Sequence, residues 1–237
     1  MLTLVNERTK MKREQSKFIC FIGIDGSGKT TLAKSLAASL CDSGKNATYV
    51  YNRSKAILVK PFSELGRLLF LRGHDMFSDY AAYSSRKQSL FQHRLFFALY
   101  RSVFLLDYWI QSLIKIKAPL WRGTTVVCDR YLHDTIITDF AVHGHYTTDQ
   151  VAAVLERWLH IFPRPDLVFM VDVDEAVAYK RKSDTPSLEY LKERRWLYAA
   201  IAQSYGAIAL DGSMDLTALQ SQTRQIALSS FGSQGER

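Results

Sequence analysis

Cysteine is scarce in this chain. Cys20, Cys41 and Cys128 are the only three among 237 residues, they lie far apart, and none forms a CxxC pair. That excludes a disulfide framework and a thiolate zinc site, and it points to a reducing compartment. A run of apolar residues long enough to cross a bilayer is also missing. The most apolar stretch, Leu90 to Ile116, is broken by Arg94, Arg101, Asp107 and Lys115 at intervals too short for a membrane segment, and it reads as a long core helix. The first sixteen residues hold Lys10, Lys12, Arg13, Glu7 and Glu14 but no apolar core of signal-peptide length, so residues 1–16 read as a flexible cytosolic tail. Acidic residues are outnumbered, 23 against 31 Lys and Arg, for a net charge of +8. The basic residues are spread along the chain without a nucleic-acid-binding motif, so the surplus fits phosphate-bearing small molecules better than a polymer.

With 47% hydrophobic and 23% charged residues, the composition is that of a folded globular protein, and disorder or collagen is excluded. Lys17 to Gly23 is a short apolar run ending in glycine, the pattern of a buried strand, and Thr30 to Leu40 carries Leu32, Leu36 and Leu40 at helical spacing. Further strands are predicted at Ala47–Tyr51, Thr124–Cys128, Leu167–Val173 and Ala207–Leu210. Helices are predicted at Pro61–Leu71, over Ser78–Lys117 until Pro119 stops it, from a cap at Thr148 to about Phe162, from Asp174 through Lys180, and over Ser187–Tyr205. Strands alternating with crossover-length connections predict a three-layer α/β fold, a five-stranded parallel sheet covered by helices on both faces. We expect one domain over residues 17–230, with a helical excursion at about 53–117, a lid at about 180–190, and a flexible tail at 231–237.

The most specific chemistry sits at Gly23-Ile24-Asp25-Gly26-Ser27-Gly28-Lys29-Thr30, which satisfies GxxxxGK(S/T) between a predicted strand and a predicted helix. Glycines let the loop turn its N–H groups toward a polyphosphate, the helix start adds its positive dipole end, Lys29 reaches the β and γ phosphates, and the Thr30 hydroxyl can ligate Mg²⁺. This phosphate loop (P-loop) predicts a nucleoside triphosphate ligand and a P-loop NTPase fold. Val126-Val127-Cys128-Asp129 brings a carboxylate to a strand end, where it can orient the Mg²⁺ shell. The end of the second predicted strand reads Tyr51-Asn52-Arg53-Ser54-Lys55 and is basic. A kinase of free hydroxyls needs a carboxylate base there, whereas a phosphate monoester, with a second pKa of about 6, is already a nucleophile at pH 7. The basic end therefore favours a phosphorylated acceptor. Lys180, Arg181 and Lys182 are candidate lid cations, with Arg181 taken as a catalytic candidate.

The segment Phe21 to Thr31 resembles the FEGxDGxGKTT motif of the thymidylate kinase family, with Ile22 in place of the glutamate. Asp129-Arg130-Tyr131 is similar to the family's second motif, and Phe97 four residues before Arg101 to its third. Pro165-Asp166-Leu167, Glu189-Tyr190-Leu191, Arg195 and Tyr198 extend the likeness to about residue 215. The resemblance implies transfer of phosphate from ATP to a nucleoside monophosphate, dTMP foremost. Gly23, Gly26, Ser27, Gly28, Lys29, Thr30 and Thr31 would then hold ATP, Thr30 and Asp129 the metal, and Lys29, Asp129, Arg130 and Arg181 would act in catalysis. Arg53 and Arg130 would clamp the acceptor phosphate, Phe97 would stack on the base, Arg101 would bond its edge, and Asp25 would meet the sugar. It further implies a cytoplasmic homodimer joined through the long helices. Asp134 stands where the family has serine, Asp139 falls near its glutamine, and Asn52 replaces a proline, which leaves base selection open. A deoxynucleoside kinase, or a nucleotide-binding regulatory protein without transfer activity, stays open at this stage. His133, His143 and His145 lack the companion ligands of a metal site, and the His143-Gly144-His145 run reads as a solvated surface turn.

Overall fold

The computed structural model describes residues 16–53, 94–142, 146–182 and 184–232, with the side chains at 94–101, 139 and 232 outside the described set. The predicted helix at 61–71, the first part of the 78–117 block, residues 1–15 and 233–237 of the two predicted tails, His143 and His145 also lie outside it; residues 231 and 232, expected in the C-terminal tail, instead end a helix, with Phe231 packed against the core. Five strands form one all-parallel sheet: β1 (Phe18–Ile22), β2 (Ala47–Tyr51), β3 (Thr125–Asp129), β4 (Leu167–Asp172) and β5 (Ile208–Asp211), in the order β2-β3-β1-β4-β5. β1 is central. It pairs Cys20 with Cys128 of β3 and Phe21 with Phe169 of β4, and its five residues are buried on both faces.

Alternation along the strands divides the core in two. Phe18, Cys20 and Ile22 face the side covered by α2 (Arg94–Ser112), α3 (Leu132–Thr135), α4 (Thr148–Leu159) and α6 (Leu188–Ser204). Ile19 and Phe21 face the other side, covered by α1 (Lys29–Asp42) and α7 (Leu216–Gly232). A further helix, α5 (Glu175–Arg181), follows β4, and the Asp174 side chain caps it by accepting from the N–H of Ala176 at 2.9 Å. Helices on both faces of a five-stranded parallel sheet match the predicted class.

Four local features differ from the sequence reading. The helical block does not stop at Pro119 but runs on to Trp121, through wider π-helical turns over Leu113–Lys117. Proline has no N–H to give to the preceding turn, and a widened ladder accommodates that loss. α3 continues as a second widened stretch, Ile136–Ala141, directly after the Asp129-Arg130-Tyr131 segment. The cap of α4 is Thr147, not Thr148: its hydroxyl accepts from the Gln150 N–H while the Gln150 side chain accepts from the Thr147 N–H, a reciprocal capping box. Finally, α7 was not predicted at all.

Candidate active site

Parallel strands deliver their carboxyl ends to one edge, and the loops leaving that edge build the site. The loop after β1 bends through glycines in the left-handed region. Gly26 has φ +82°, and a Cβ placed there would lie 2.2 Å from the Ala178 carbonyl oxygen of α5, so only glycine allows this approach. Gly28 caps α1 at φ +96°, and no acidic residue occupies the first turn of that helix, so no carboxylate of that turn offsets the positive end of its dipole, which suits an anion. The Ser27 hydroxyl is buried and has no hydrogen-bond partner among the described residues.

Lys29 is buried at the base of the loop and donates to the Ile24 carbonyl at 2.7 Å. Burial lowers its ammonium pKa to about 8, and the nearby Arg130 charge acts in the same direction. The Thr30 hydroxyl donates to Asp129 Oδ2 at 2.6 Å, and the Tyr49 hydroxyl donates to the same oxygen at 3.0 Å. Asp129 Oδ1 is buried with no hydrogen-bond partner among the described residues. Thr31 is exposed on the first turn of α1.

Arg130 follows β3 with φ +69°, a left-handed backbone rare outside glycine. Its N–H donates to the Phe21 carbonyl at 3.2 Å, and the Cys128 thiol donates to its carbonyl at 3.0 Å, which together hold this turn. The guanidinium is buried between two carboxylates. Nη2 pairs with Asp25 of the phosphate loop, and Nη1 lies 3.2 Å from Asp134 Oδ1. Asp134 also accepts from the Tyr198 hydroxyl at 2.7 Å. The two carboxylates keep Arg130 charged against the cost of its burial. Burial would raise Asp25, but Arg130, Lys29 and Lys182 outweigh it and hold its carboxyl below the ordinary range. Asp134 goes the other way, raised because its burial outweighs the attraction of Arg130 and Lys29.

The lid region reaches the same loop. Lys182 Nζ stands 3.4 Å from Asp25 Oδ1, and the Tyr190 hydroxyl 3.5 Å from Asp25 Oδ2. Arg181 instead donates to the Gly212 carbonyl at 3.0 Å, while Lys180 is exposed. Arg53 is half-buried just past β2, and its charge acts on the Tyr190 phenol. Thus Gly23, Asp25, Lys29, Thr30, Arg53, Asp129 and Arg130 converge on the carboxyl edge, joined by Lys182 and Tyr190. Phe97 and Arg101 lie on α2, and their side chains, like that of Asp139, are outside the described residues. Sequence reasoning missed Tyr49, the Cys128 thiol and the Asp134–Tyr198 pair. Only alternation along β2 hinted at the first. Asp107, which interrupts the apolar stretch of α2, is buried and accepts from Gln111 at 3.1 Å.

A phosphate loop after the central strand, a buried lysine at its base and a hydroxyl–carboxylate pair at the neighbouring strand end define a P-loop nucleotide-dependent phosphotransferase. The thymidylate kinase family model matches residues 78–224. The chain is 29% identical over 224 residues to a probable thymidylate kinase of Sulfurisphaera tokodaii, covering 90% of this chain and 96% of that protein. It is 30% identical over 201 residues to a probable thymidylate kinase of Methanocaldococcus jannaschii, covering 82% and 86%. With a thymidylate kinase of a Janthinobacterium species it shares 26% over 222 residues, 89% and 95% of the two chains. The chain belongs to the thymidylate kinase family. It is a nucleoside monophosphate kinase of a family that takes ATP as phosphoryl donor.

Proposed function

We propose that this chain transfers the γ-phosphoryl group of ATP to dTMP, giving dTDP and ADP. The observation that carries this reading is the buried Arg130 guanidinium, set beside the phosphate loop by a left-handed backbone and held there by Asp25 and Asp134. A dianionic acceptor needs alignment and neutralisation, which a fixed cationic fork supplies. One phosphate oxygen of the acceptor attacks the γ phosphorus as the bond to the β–γ bridging oxygen breaks, and its electron pair leaves on ADP.

The loop Gly23, Gly26, Ser27, Gly28, Lys29, Thr30 and Thr31 wraps the triphosphate with N–H groups, hydroxyls and the Lys29 ammonium. Arg53 and Arg130 grip the acceptor phosphate, Asp25 meets the sugar, Phe97 stacks on the base and Arg101 bonds its edge. Arg181 and Lys182 bring positive charge from the lid as it closes and excludes water. Thr30 and Asp129 fit a Mg²⁺ ion: their donors are oxygens only, and Asp129 Oδ1 is buried without a partner among the described residues. The described residues hold no cluster of three or more acidic, His or Cys ligands, which suits an ion that completes its shell with waters and phosphates. When bound, the ion neutralises charge on the β and γ oxygens.

A homodimer is supported by an exposed apolar stripe along α2 and its π-helical continuation, Leu106, Ile110 and Ile114 at four-residue spacing, with Trp121 beyond it. Membership of the thymidylate kinase family supports a place in nucleotide biosynthesis, in the cytoplasm; among the described residues no helix is long and apolar enough to cross a membrane. Purified chain with Mg-ATP and each nucleoside monophosphate tests the reading. dTDP is expected, its formation should stop with EDTA, and sedimentation should give twice the chain mass. ADP release no greater than background hydrolysis with every acceptor would refute it.

A further inference from the structure

Two carboxylates hold Arg130, and they differ in how firmly they are fixed. Asp25 belongs to the phosphate loop and shares its oxygens with Tyr190 and with Lys182, whose side chain is 36% exposed. Asp134 is 3% exposed and is tied by a 2.7 Å bond to Tyr198 of α6, itself 2% exposed. The atoms they engage differ too. Asp134 takes Nη1 and Asp25 takes Nη2, while Arg130 Nε is buried with no hydrogen-bond partner among the described residues. In a guanidinium, Nε–H and Nη2–H point from the same edge, the side-on fork that two oxygens of a phosphate match. That fork holds one unmade bond and one bond to the carboxylate with the more exposed surroundings.

We propose that Asp134, anchored by Tyr198, is a positioning residue that grips Arg130 through Nη1 and presents its Nε–Nη2 edge to the acceptor phosphate, which displaces Asp25 from Nη2. This rests on the proposed dTMP kinase reading and adds the residues that aim its phosphate clamp. Buried Asp134 keeps the guanidinium plane fixed when Asp25 lets go, so the fork needs no reordering on binding. Serine, which the resemblance places at this position, is too short and uncharged to make the same grip. The chain therefore carries its own device for aiming Arg130, and Asp25, once displaced, is free to turn to other partners.

The test is steady-state kinetics with Mg-ATP and dTMP, together with calorimetric dTMP binding and thermal unfolding of every variant. Asp134→Asn keeps the shape but removes the charge, and should raise both KM and Kd for dTMP about tenfold while KM for ATP stays within twofold. Tyr198→Phe removes only the anchoring hydroxyl and should raise them about threefold, which carries the test should the first variant not fold. In an Arg130→Ala background, neither substitution should weaken dTMP binding further, because the group being aimed is gone. An unchanged KM for dTMP, parallel rises for ATP and dTMP, or full effects persisting without Arg130 would each overturn the inference while leaving dTMP kinase activity intact. No turnover of dTMP by the unmodified protein would overturn that reading, and the inference with it.

Discussion

Replacing His133 with leucine should change how the protein responds to acid. The imidazole is fully buried on α3, and neither ring nitrogen has a hydrogen-bond partner among the described residues. Its neighbours include the Tyr205 ring, edge-on with centroids 6.0 Å apart, which offers the imidazolium no counter-charge. Burial disfavours the charged form and lowers the pKa from 6.5 to about 4. Between those values the unfolded chain binds a proton that the folded one refuses, so stability is full above pH 6.5 and declines as pH falls toward 4. From pH 7 to pH 5 the loss from this one group is about 2 kcal/mol. Urea unfolding followed by circular dichroism, at matched ionic strength, measures it. The stability of His133→Leu relative to the unmodified protein should rise by about 2 kcal/mol between pH 7 and pH 5, whatever constant offset the new side chain brings, because the other titrating groups cancel in the difference. A difference that stays level across that interval would refute the argument and imply a partner for the ring.

Lys29→Met should lower kcat at least about a hundredfold with the fold intact, since it removes a buried charge aimed at the migrating group. Because the Lys29 pKa is lowered to about 8 in the free protein, ATP affinity should fall from pH 8 to 9.5 as the ammonium is lost, and a flat profile would contradict that. Gly26→Ala should abolish ATP binding and lower Tm by about 4 to 10 °C, because its Cβ would meet the Ala178 carbonyl at 2.2 Å with φ at +82°. Gly28→Ala meets nothing within 4 Å and should cost less, and equal losses in calorimetric scans would remove the steric account.

The parts legible in the sequence were those whose cause is local. The apolar run of β1, the glycines at 23, 26 and 28 and the β-branched run of β3 all act over a few residues, so the phosphate loop and its carboxylate could be placed before any coordinates. The capping serine at 187 and aspartate at 174 were readable for the same reason. What escaped was set by tertiary packing. α7 buries Leu219, Thr223 and Ala227 at four-residue spacing, and with a polar and a small residue in that stripe no apolar period signals the helix. His133 is a polar residue in the core, which no composition argument foretells. Arg130 was legible as a motif residue and Asp134 lies only four residues on, but Asp25 reaches the same guanidinium only through the fold.

The central place of β1 has a consequence for biosynthesis. This strand, Phe-Ile-Cys-Phe-Ile, is made first, yet it pairs with β3 and β4, which begin at Thr125 and Leu167. On a ribosome adding about 5 to 20 residues per second, roughly 5 to 20 s pass before either neighbour exists. Through that interval a sticky, β-prone pentapeptide waits unpaired, so nascent chains of this protein should lean on chaperones until residue 172 has emerged.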